Sequence, residues 1–171
     1  RGEEGEGEQA FDWVRARNDE TGSTWATGED FEEMESRIKA ALDSDDRIAF
    51  VGERGGLLYN FWQDGDNPQG LWRRTTWESY RTDAPEWEVL LDLDALSEAD
   101  GQRWVWHGAQ CLRPAYTRCL LSLSPGGSDA AVVREYDLET LSFVEGGFEL
   151  PAAKSEVSWI DLDHVYVGTD F

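Results

Sequence analysis

The chain has 171 residues, 40% of them hydrophobic, and it carries 36 acidic against 15 basic side chains, a formal net charge of −21. This length suits one domain with its own core, and the charge argues against nucleic acid and anionic membranes as partners, because both bind clustered cations. The sequence contains no apolar run as long as a membrane span and no signal-peptide hydrophobic region, so we expect a cytoplasmic protein.

The first 46 residues are acidic and contain one helical pattern. Residues 1–10, RGEEGEGEQA, lack the apolar residues that a core requires, so we expect a flexible acidic lead-in. Residues 11–46 are predicted to form a helical amino-terminal segment. Within it, one amphipathic helix is predicted from apolar residues at helical spacing, namely Phe31, Met34, Ile38, Ala41 and Leu42.

From residue 47 onward, short strands alternate with turns. RIAFVGERGGLLYNFWQD predicts strand, glycine turn and strand, LWRRTTWESYR alternates like a strand, and EWEVLLDLDAL predicts a strand that runs into a loop. Further strands are predicted in WVWHGAQCL, RCLLSLS, AVVREYDLE, SFVEGGFEL and VSWIDLDHVYVGTDF. No helical pattern interrupts residues 47–171, so we expect no helix there.

The strands repeat as a unit. LLYNFWQDGD at 57–66 aligns with LLSLSPGGSD at 120–129, and HVYVGTDF at 164–171 corresponds to the same strand again. About four short strands per repeat are typical of propeller blades, whereas a β-sandwich does not repeat the same unit. We therefore predict a mainly β fold, a partial β-propeller of about two and a half four-stranded antiparallel blades preceded by an amphipathic helix. The blades are predicted at about 47–101, 102–150 and, as the start of a third, 151–171.

This order of segments resembles the amino-terminal part of the prolyl oligopeptidase family of serine peptidases. The resemblance extends from about Phe31 to Phe171, and YNFW, GLWRRTT and SY between residues 59 and 80 are its most specific part. It implies a seven-bladed propeller that covers an α/β-hydrolase domain and restricts access to short peptides, which a serine cleaves. The later blades and the hydrolase domain have no counterpart in this sequence, so we expect a longer parent protein.

Ser128, in PGGSD, is the residue that most resembles a catalytic nucleophile. A nucleophile elbow requires a helix directly after the serine and a glycine two residues on, whereas DAAVVREYDL alternates like a strand and position 130 is Ala. We expect a β-hairpin turn instead. His107 and His164 are expected to be structural or surface residues rather than members of a triad. We therefore predict no catalytic residue in this chain and no activity for the chain alone.

Acidic pairs occur at three turns, DGD at 64–66 and DLD at 92–94 and at 161–163. A calcium loop needs oxygen ligands at alternate positions and a closing Glu. DGDNPQG contains Pro68 and no such Glu, so we expect acidic turns between blade strands. No glycine-rich nucleotide-binding motif is present. We predict no metal, no cofactor, and neither a nucleic-acid nor a membrane partner.

Two further features have alternative interpretations. Cys111 and Cys119 lie in predicted neighbouring strands, and although a disulfide is geometrically possible, we expect free thiols in a cytosolic chain. FWQDGDNPQGLWRRTTW is either a ligand platform or, as we favour, packing between blades with Arg73 and Arg74 paired to acidic neighbours. Ring burial is expected for the tryptophans of the predicted strands, namely Trp62, Trp72, Trp104, Trp106 and Trp159.

The sequence thus predicts the non-catalytic propeller part of a peptidase, which gates the access of peptides to a hydrolase domain. Its expected partners are the peptide substrates, the remaining blades and the hydrolase domain, with self-association through open blade faces. The alternative is a stand-alone acidic protein-interaction module of propeller-like or sandwich fold. A coding sequence that continues past Phe171 into further blades and a Gly-x-Ser-x-Gly stretch would favour the first interpretation.

Overall fold

In a computed structural model, residues 3–169 are described, and the chain divides into two compact units between Ser44 and Asp45. The boundary predicted from the sequence, after Asp46, lies two residues further along. Residues 1, 2, 170 and 171, which belong to the predicted lead-in and the predicted last strand, lie outside the described residues. Within the described range, no helix combines the length and the apolar character needed to cross a membrane.

The first unit consists of two helices, α1 (Glu3–Trp25) and α2 (Glu29–Asp43). α2 is the predicted amphipathic helix, and its first turn carries acidic residues, which the helix dipole stabilises at this end. Residues 3–10, expected to be a flexible lead-in, are helical. Because Glu and Gly dominate the start of α1, that segment has no apolar stripe from which a helix could be predicted.

Large apolar side chains of this first unit are exposed. They are Phe11, Trp13, Val14 and Trp25 in α1, and Phe31, Met34, Ile38 and Leu42 in α2. No residue of α2 is buried. Since helices in proteins gain most of their stability by packing an apolar face, these side chains form a surface that is available for contact.

The second unit begins with a four-stranded antiparallel sheet in the order β1-β2-β3-β4. Its strands are β1 (Gly52–Arg54), β2 (Leu57–Trp62), β3 (Leu71–Thr75) and β4 (Glu88–Asp92). Gly55 and Gly56, with φ of 58° and 82°, form the predicted glycine turn between β1 and β2. DGDNPQG lies between β2 and β3, where a turn is predicted.

A short helix, α3 (Trp77–Tyr80), follows β3 where the sequence predicts a continuing strand. The strand ends at Thr75, and the next residue, Thr76, caps the helix because its side-chain oxygen accepts a hydrogen bond from the Ser79 N–H at 3.1 Å. The alternation of LWRRTTWESYR is therefore a strand signal only in its first half.

A longer helix, α4 (Leu93–Asp100), replaces the loop predicted after β4. The carboxylate of Asp92 accepts a hydrogen bond from the Ala95 N–H at 2.9 Å, and Gly101, with φ of 61°, ends the helix in the left-handed conformation. The expectation of no helix between 47 and 171 is wrong. α3 and α4 begin at capping bonds, and their four and eight residues are too few to show an apolar spacing that repeats over several turns.

The second sheet has five strands. They are β5 (Trp104–Cys111), β6 (Arg118–Pro125), β7 (Ala131–Asp137), β8 (Ser142–Phe143) and β9 (Glu149–Ala153). β5, β6 and β7 are neighbours in that order, and both β8 and β9 pair with β7. The fourth position of this sheet is therefore divided between two short strands.

Cys111 and Cys119 form a disulfide, so the expectation of free thiols is wrong. The two residues are direct partners in the antiparallel β5–β6 register, with their Cα atoms 3.9 Å apart. The spacing of the two cysteines in the sequence predicts only that their strands are neighbours. The register of β5 and β6 places the two sulfur atoms within bonding distance.

A third sheet contains β10 (Ser155–Trp159) and β11 (Val165–Thr169), which pair antiparallel. β2, β6 and β11 are each the second strand of their sheet, so the repeat found in the sequence is confirmed. The fold is mainly β, a partial β-propeller with two complete antiparallel sheets and two strands of a third, preceded by helices.

The core of the second unit lies between the first and second sheets. Its buried members are Tyr59, Trp72, Leu90, Leu91, Leu93, Cys119, Leu121, Leu123, Tyr136 and Leu138. Of the tryptophans expected to be buried, Trp72 and Trp62 are, while Trp104, Trp106 and Trp159 are half-buried. Trp72 belongs to the core between the sheets, whereas Trp62 is buried outside it, next to the guanidinium groups of Arg47 and Arg73.

Candidate functional site

Ser128 lies at the tip of the β6–β7 hairpin, as predicted. Gly126 and Gly127 have φ of 65° and 84°, which suits a tight hairpin turn. The Ser128 hydroxyl donates a hydrogen bond to the Ala130 carbonyl at 3.0 Å, and the Ser124 hydroxyl donates one to the Ser128 carbonyl at 2.7 Å. A strand follows the turn, so Ser128 does not have the strand-to-helix surroundings of a nucleophile elbow.

The two histidines lie in different parts of the second unit. His107 is exposed at a bulge of β5, and His164 lies just before β11. Nδ1 of His164 is 2.8 Å from Oδ1 of Asp161, and this hydrogen bond lowers the pKa of the Asp161 carboxyl below its ordinary value. Among the contacts of residues 3–169, none joins either histidine to Ser128, so the geometry does not assemble a triad from them.

Asp64, in DGD, is fully engaged within its own loop. Oδ1 accepts hydrogen bonds from the N–H groups of Asp66 and Asn67 at 3.1 and 2.8 Å and from the Asn67 side chain at 2.8 Å. Oδ2 accepts one from the Trp62 indole at 2.7 Å. Burial raises the pKa of Asp64, but these hydrogen bonds together outweigh it and lower the pKa below 3.8. The carboxylate therefore closes the turn, as acidic turns were predicted to do.

The DLD at 92–94 is used in the same way. Asp92 caps α4, and the Asp94 carboxylate accepts hydrogen bonds from the N–H groups of Gln69 and Gly70 at 3.0 to 3.2 Å. These bonds tie the start of α4 to the loop that leads into β3. In the range 3–169, no group of three His, Cys, Asp or Glu side chains is arranged to hold a metal ion.

Arg74, from the aromatic and arginine cluster, is paired as predicted. Its Nε and Nη2 atoms lie 2.6 and 3.2 Å from the two carboxylate oxygens of Glu88 on β4. Burial lowers the pKa of Arg74, but the bonds to Glu88 and Tyr59 outweigh it, and the net effect raises the pKa. This is the forked, two-bond geometry that an arginine makes with a carboxylate.

Arg73, in contrast, has no carboxylate within ion-pair distance among the described residues, so the prediction of an acidic partner is wrong. Its guanidinium carbon lies 4.4 Å from the ring centroid of Trp62 and 4.2 Å from that of Trp87. Nε donates a hydrogen bond to Oδ1 of Asn60 at 2.9 Å. Burial lowers the pKa of Arg73 to about 10, although Asp64 opposes this shift.

The Arg73 side chain lines a cleft of about 690 Å³ on the first sheet. Asn60 connects this arginine to the segment that precedes β1, because its Nδ2 donates a hydrogen bond to the Phe50 carbonyl at 2.8 Å. The Tyr80 hydroxyl donates a second one to the Ala49 carbonyl at 2.7 Å. Asn60, which Arg73 holds, and Tyr80 thus anchor Ala49 and Phe50 to the sheet, a role that no sequence pattern indicated.

Comparison with known proteins settles the family. A sequence profile described as the N-terminal β-propeller domain of prolyl oligopeptidase matches residues 3–169, nearly the whole chain. The chain belongs to the prolyl oligopeptidase family. The match to this family begins well before Phe31, where the sequence resemblance was expected to start, because α1 is included in it.

Curated relatives of this prolyl oligopeptidase-family chain are described as peptidases. An uncharacterized peptidase of Sinorhizobium fredii is 46% identical over 97% of the chain, and one of Rickettsia prowazekii is 37% identical over 86%. The chain spans 23% and 20% of the length of these two relatives.

Solved structures show the same fold. A post-proline cleaving enzyme from Rickettsia typhi is 34% identical, with a TM-score of 0.82 over 89% of this chain and 23% of its own. A prolyl endopeptidase is 17% identical, with a TM-score of 0.65 over 88% of this chain and 21% of its own, which is a likeness of fold. The prolyl oligopeptidase-family chain thus corresponds to one part of longer enzymes.

Proposed function

We propose that this chain is the non-catalytic amino-terminal propeller part of a prolyl oligopeptidase-like serine peptidase, in which it covers a hydrolase domain and gates the access of peptides to it. The observation that carries the proposal is the profile match over residues 3–169, combined with coverage of only 23% of the Sinorhizobium relative. The name of the Rickettsia typhi enzyme, which is 34% identical, supports cleavage after proline as the reaction of the whole protein.

Exposed apolar side chains in the second unit support the proposal that this chain binds other domains. Ile48 and Phe50, on the segment held by Asn60 and Tyr80, are 83% and 90% exposed. Tyr166 and Val167 of β11 are also exposed. A propeller blade normally packs against its neighbours, and one repeat unit cannot cover itself. Further blades and a hydrolase domain are the partners that the proposal assigns to these surfaces.

Gating is tested in the full-length protein with two substrates. We expect a short proline-containing fluorogenic peptide to be cleaved and unfolded casein to resist cleavage. The variant Trp72→Ala, which loosens the packing between the first two sheets, is expected to raise casein cleavage relative to peptide cleavage. Trp77→Ala, at an exposed ring, is the matched control. Equal cleavage of both substrates by the unmodified protein would contradict gating, and no cleavage of proline peptides would contradict the substrate class.

A cytoplasmic location stays a prediction. The Cys111–Cys119 disulfide argues against it, because most cytosolic proteins keep their thiols reduced. Cell fractionation with an antibody against the chain distinguishes the two outcomes, and a signal confined to an oxidising compartment would contradict the prediction.

A further inference from the structure

A second, smaller cleft lies at the junction of the first and second sheets, with a volume of about 280 Å³. Three turns meet there, namely those between β1 and β2, between β5 and β6, and between β7 and β8. Its main side chains are Arg54, Tyr59, Arg74, Tyr116, Glu139 and Leu141. A cleft of this size admits one amino-acid residue or a chain end, and it is too small for a folded partner.

Arg54 is the cation of this cleft that has no acidic partner. Its guanidinium carbon lies 5.1 Å from the ring centroid of Tyr59, and among the described residues no carboxylate pairs with it. Arg74, which also lines the cleft, is held by Glu88 at 2.6 Å. Since Arg74 and Glu88 neutralise each other, Arg54 is the group of the cleft that is available to an anion.

The backbone around the cleft is strained at two positions. In residues 3–169, Tyr116 and Leu141 are the non-glycine residues with positive φ, at 54° and 52°, and both line this cleft. Such conformations cost energy and persist where the surroundings enforce them, often at binding sites. Their coincidence in one cleft indicates that the three turns are built to a fixed shape.

The position of Tyr116 is enforced from two sides. Its N–H donates a hydrogen bond to the Leu112 carbonyl at 2.9 Å, and the β5–β6 turn that carries it is closed by the Cys111–Cys119 disulfide. Its ring lies against Gly55, where a Cβ would be 3.1 Å from a ring carbon. A side chain at this position would be strained, because φ is 58° and the approach is close.

We propose that this cleft binds the carboxylate of a short peptide, with the Arg54 guanidinium as its partner and Tyr116 as the aromatic wall. A guanidinium presents two parallel N–H groups that match the two oxygens of a carboxylate. The carboxylate belongs either to the chain terminus or to an Asp or Glu side chain of the peptide. That peptides reach this surface rests on the proposed function.

The net charge of −21 does not prevent this binding. Charges further away than about 8 Å are largely screened at physiological salt, so the groups of the cleft decide the interaction. There Glu139, exposed on the rim, is the one carboxylate besides Glu88 among the lining residues, and the Glu53 carboxylate lies beside the cleft, where it accepts a hydrogen bond from the Gly56 N–H at 3.2 Å. Glu139 therefore opposes an anionic ligand, which makes it useful in a test.

The test is calorimetric titration of the intact protein with proline-free tetra-alanine peptides, which are not substrates of the proposed reaction. One probe has a free terminal carboxylate, the second is amidated, and the third is amidated and carries one Glu. Binding of the first identifies the terminus as the source, and binding of the third identifies a side chain. Binding of neither, or equal binding of the neutral probe, would overturn the proposal.

Variants show whether Arg54 is the partner. Arg54→Gln is expected to weaken binding about 10-fold to 100-fold, since charge-assisted hydrogen bonds are lost. Arg81→Gln is the matched control, because Arg81 also lies over a ring, 5.3 Å from the centroid of Trp77, but away from the cleft. Unchanged affinity in a folded Arg54→Gln variant would refute the assignment.

Glu139→Gln tests carboxylate binding in the cleft independently, in case the Arg54→Gln variant does not fold. Removal of the opposing charge is expected to strengthen carboxylate binding by about 2-fold to 5-fold. Weaker or unchanged binding in this variant would contradict the proposal. A protein that cleaves short proline peptides but binds no carboxylate probe would refute the cleft alone, and one that binds the probes but cleaves no peptide would refute the proposed function alone.

Discussion

Trp72 in β3 and Trp106 in β5 lie with their ring centroids 5.3 Å apart and join the first sheet to the second. Phe61 stacks on Trp106 at 5.2 Å, and Tyr136 meets Trp72 edge-on at 6.3 Å. Four strands from two sheets thus contribute one ring each to the same contact. Aromatic pairs of this kind stabilise a core by about 0.5–1.5 kcal/mol beyond the burial of their area.

Trp72→Ala is therefore expected to lower the free energy of unfolding by about 3–5 kcal/mol, because Trp72 is 2% exposed and its removal leaves a cavity between the sheets. Trp77→Ala, at a ring that is 41% exposed, is the control and should change it far less. Trp159, half-buried with its indole bonded to the Gln110 carbonyl at 2.8 Å, should have an intermediate effect. Denaturant titration measures all three, and an unchanged midpoint for Trp72→Ala would show that the sheets do not pack as described.

The disulfide gives a second expectation. Titration of thiols in the unfolded, unreduced protein should detect no free cysteine, since the chain has two and both are bonded. Cys111→Ser with Cys119→Ser should lower the free energy of unfolding by about 2–3 kcal/mol, the loop-closure entropy of a bridge that spans eight residues. Two free thiols per chain in protein purified without reductant would contradict the bond.

The strands of this protein were predictable because their signals are local. Alternation, glycine turns and the repeat between 57–66 and 120–129 each depend on adjacent residues, and β2 and β6 lie where these patterns placed them. α4 was missed because its start depends on the Asp92 carboxylate rather than on apolar spacing. A cap of this kind is visible in a sequence only as an acidic residue among many others.

The clefts were beyond sequence reasoning for a different reason. Arg54, Tyr116 and Leu141 come from three turns that are distant in the chain, and only the packing of two sheets brings them together. An acidic partner is expected for Arg73 from the many acidic residues of the chain, yet its guanidinium lies between two indole rings and its Nε bonds to Asn60. Side-chain partners across strands depend on register, which composition does not reveal.

The surroundings of Asp137 lead to a prediction of how the free energy of unfolding depends on pH. The pKa of the Asp137 carboxyl is lowered, mostly by the hydrogen bond that it accepts from the Glu139 N–H at 2.7 Å. Burial raises this pKa, but the Thr140 N–H and the Arg118 guanidinium, whose Nη2 is 3.0 Å away, lower it further. Because the pKa of Asp137 in the folded state is below the ordinary 3.8, the ionised carboxylate stabilises the fold, and this stabilisation is fully present at pH values above 3.8. It is lost as the pH falls through the folded-state pKa.

Asp137→Asn should therefore lower the free energy of unfolding by about 1 kcal/mol at neutral pH, because the amide still accepts the turn hydrogen bonds but loses the charge. It should also flatten the loss of stability as the pH falls below the ordinary pKa of 3.8. Asp129→Asn, at a side chain that is 86% exposed, is the control. Identical acid denaturation curves for Asp137→Asn and the unmodified protein would contradict the assignment.

The chain alone should not cleave peptides. Ser128 lies in a hairpin turn with its hydroxyl bonded to the Ala130 carbonyl, and neither histidine contacts it among the described residues. We expect the purified 171-residue chain to leave a proline-containing fluorogenic peptide intact, and Ser128→Ala to behave identically. Measurable cleavage that disappears in Ser128→Ala would show that this serine is a nucleophile after all.

The open end of the propeller leads to the last prediction. Within the described residues, β10 is the one strand that pairs with β11, so β11 is an edge strand, and its Tyr166 and Val167 are 68% and 44% exposed. Unpaired strand edges of this kind favour pairing with another chain. The net charge of −21 opposes the approach of two copies, and salt screens that repulsion.

We therefore expect the 171-residue chain to self-associate more strongly as ionic strength rises, measured as mass by light scattering at low and high salt. Val167→Lys places a charge on the edge strand and should reduce the association, because charged side chains are a common means of protecting such edges. Glu53→Gln, on the exposed part of β1, changes the net charge by the same single unit and is the matched control. A compact monomer with low dye binding at both salt concentrations would mean that the strand edge and the blade faces are protected within the chain itself.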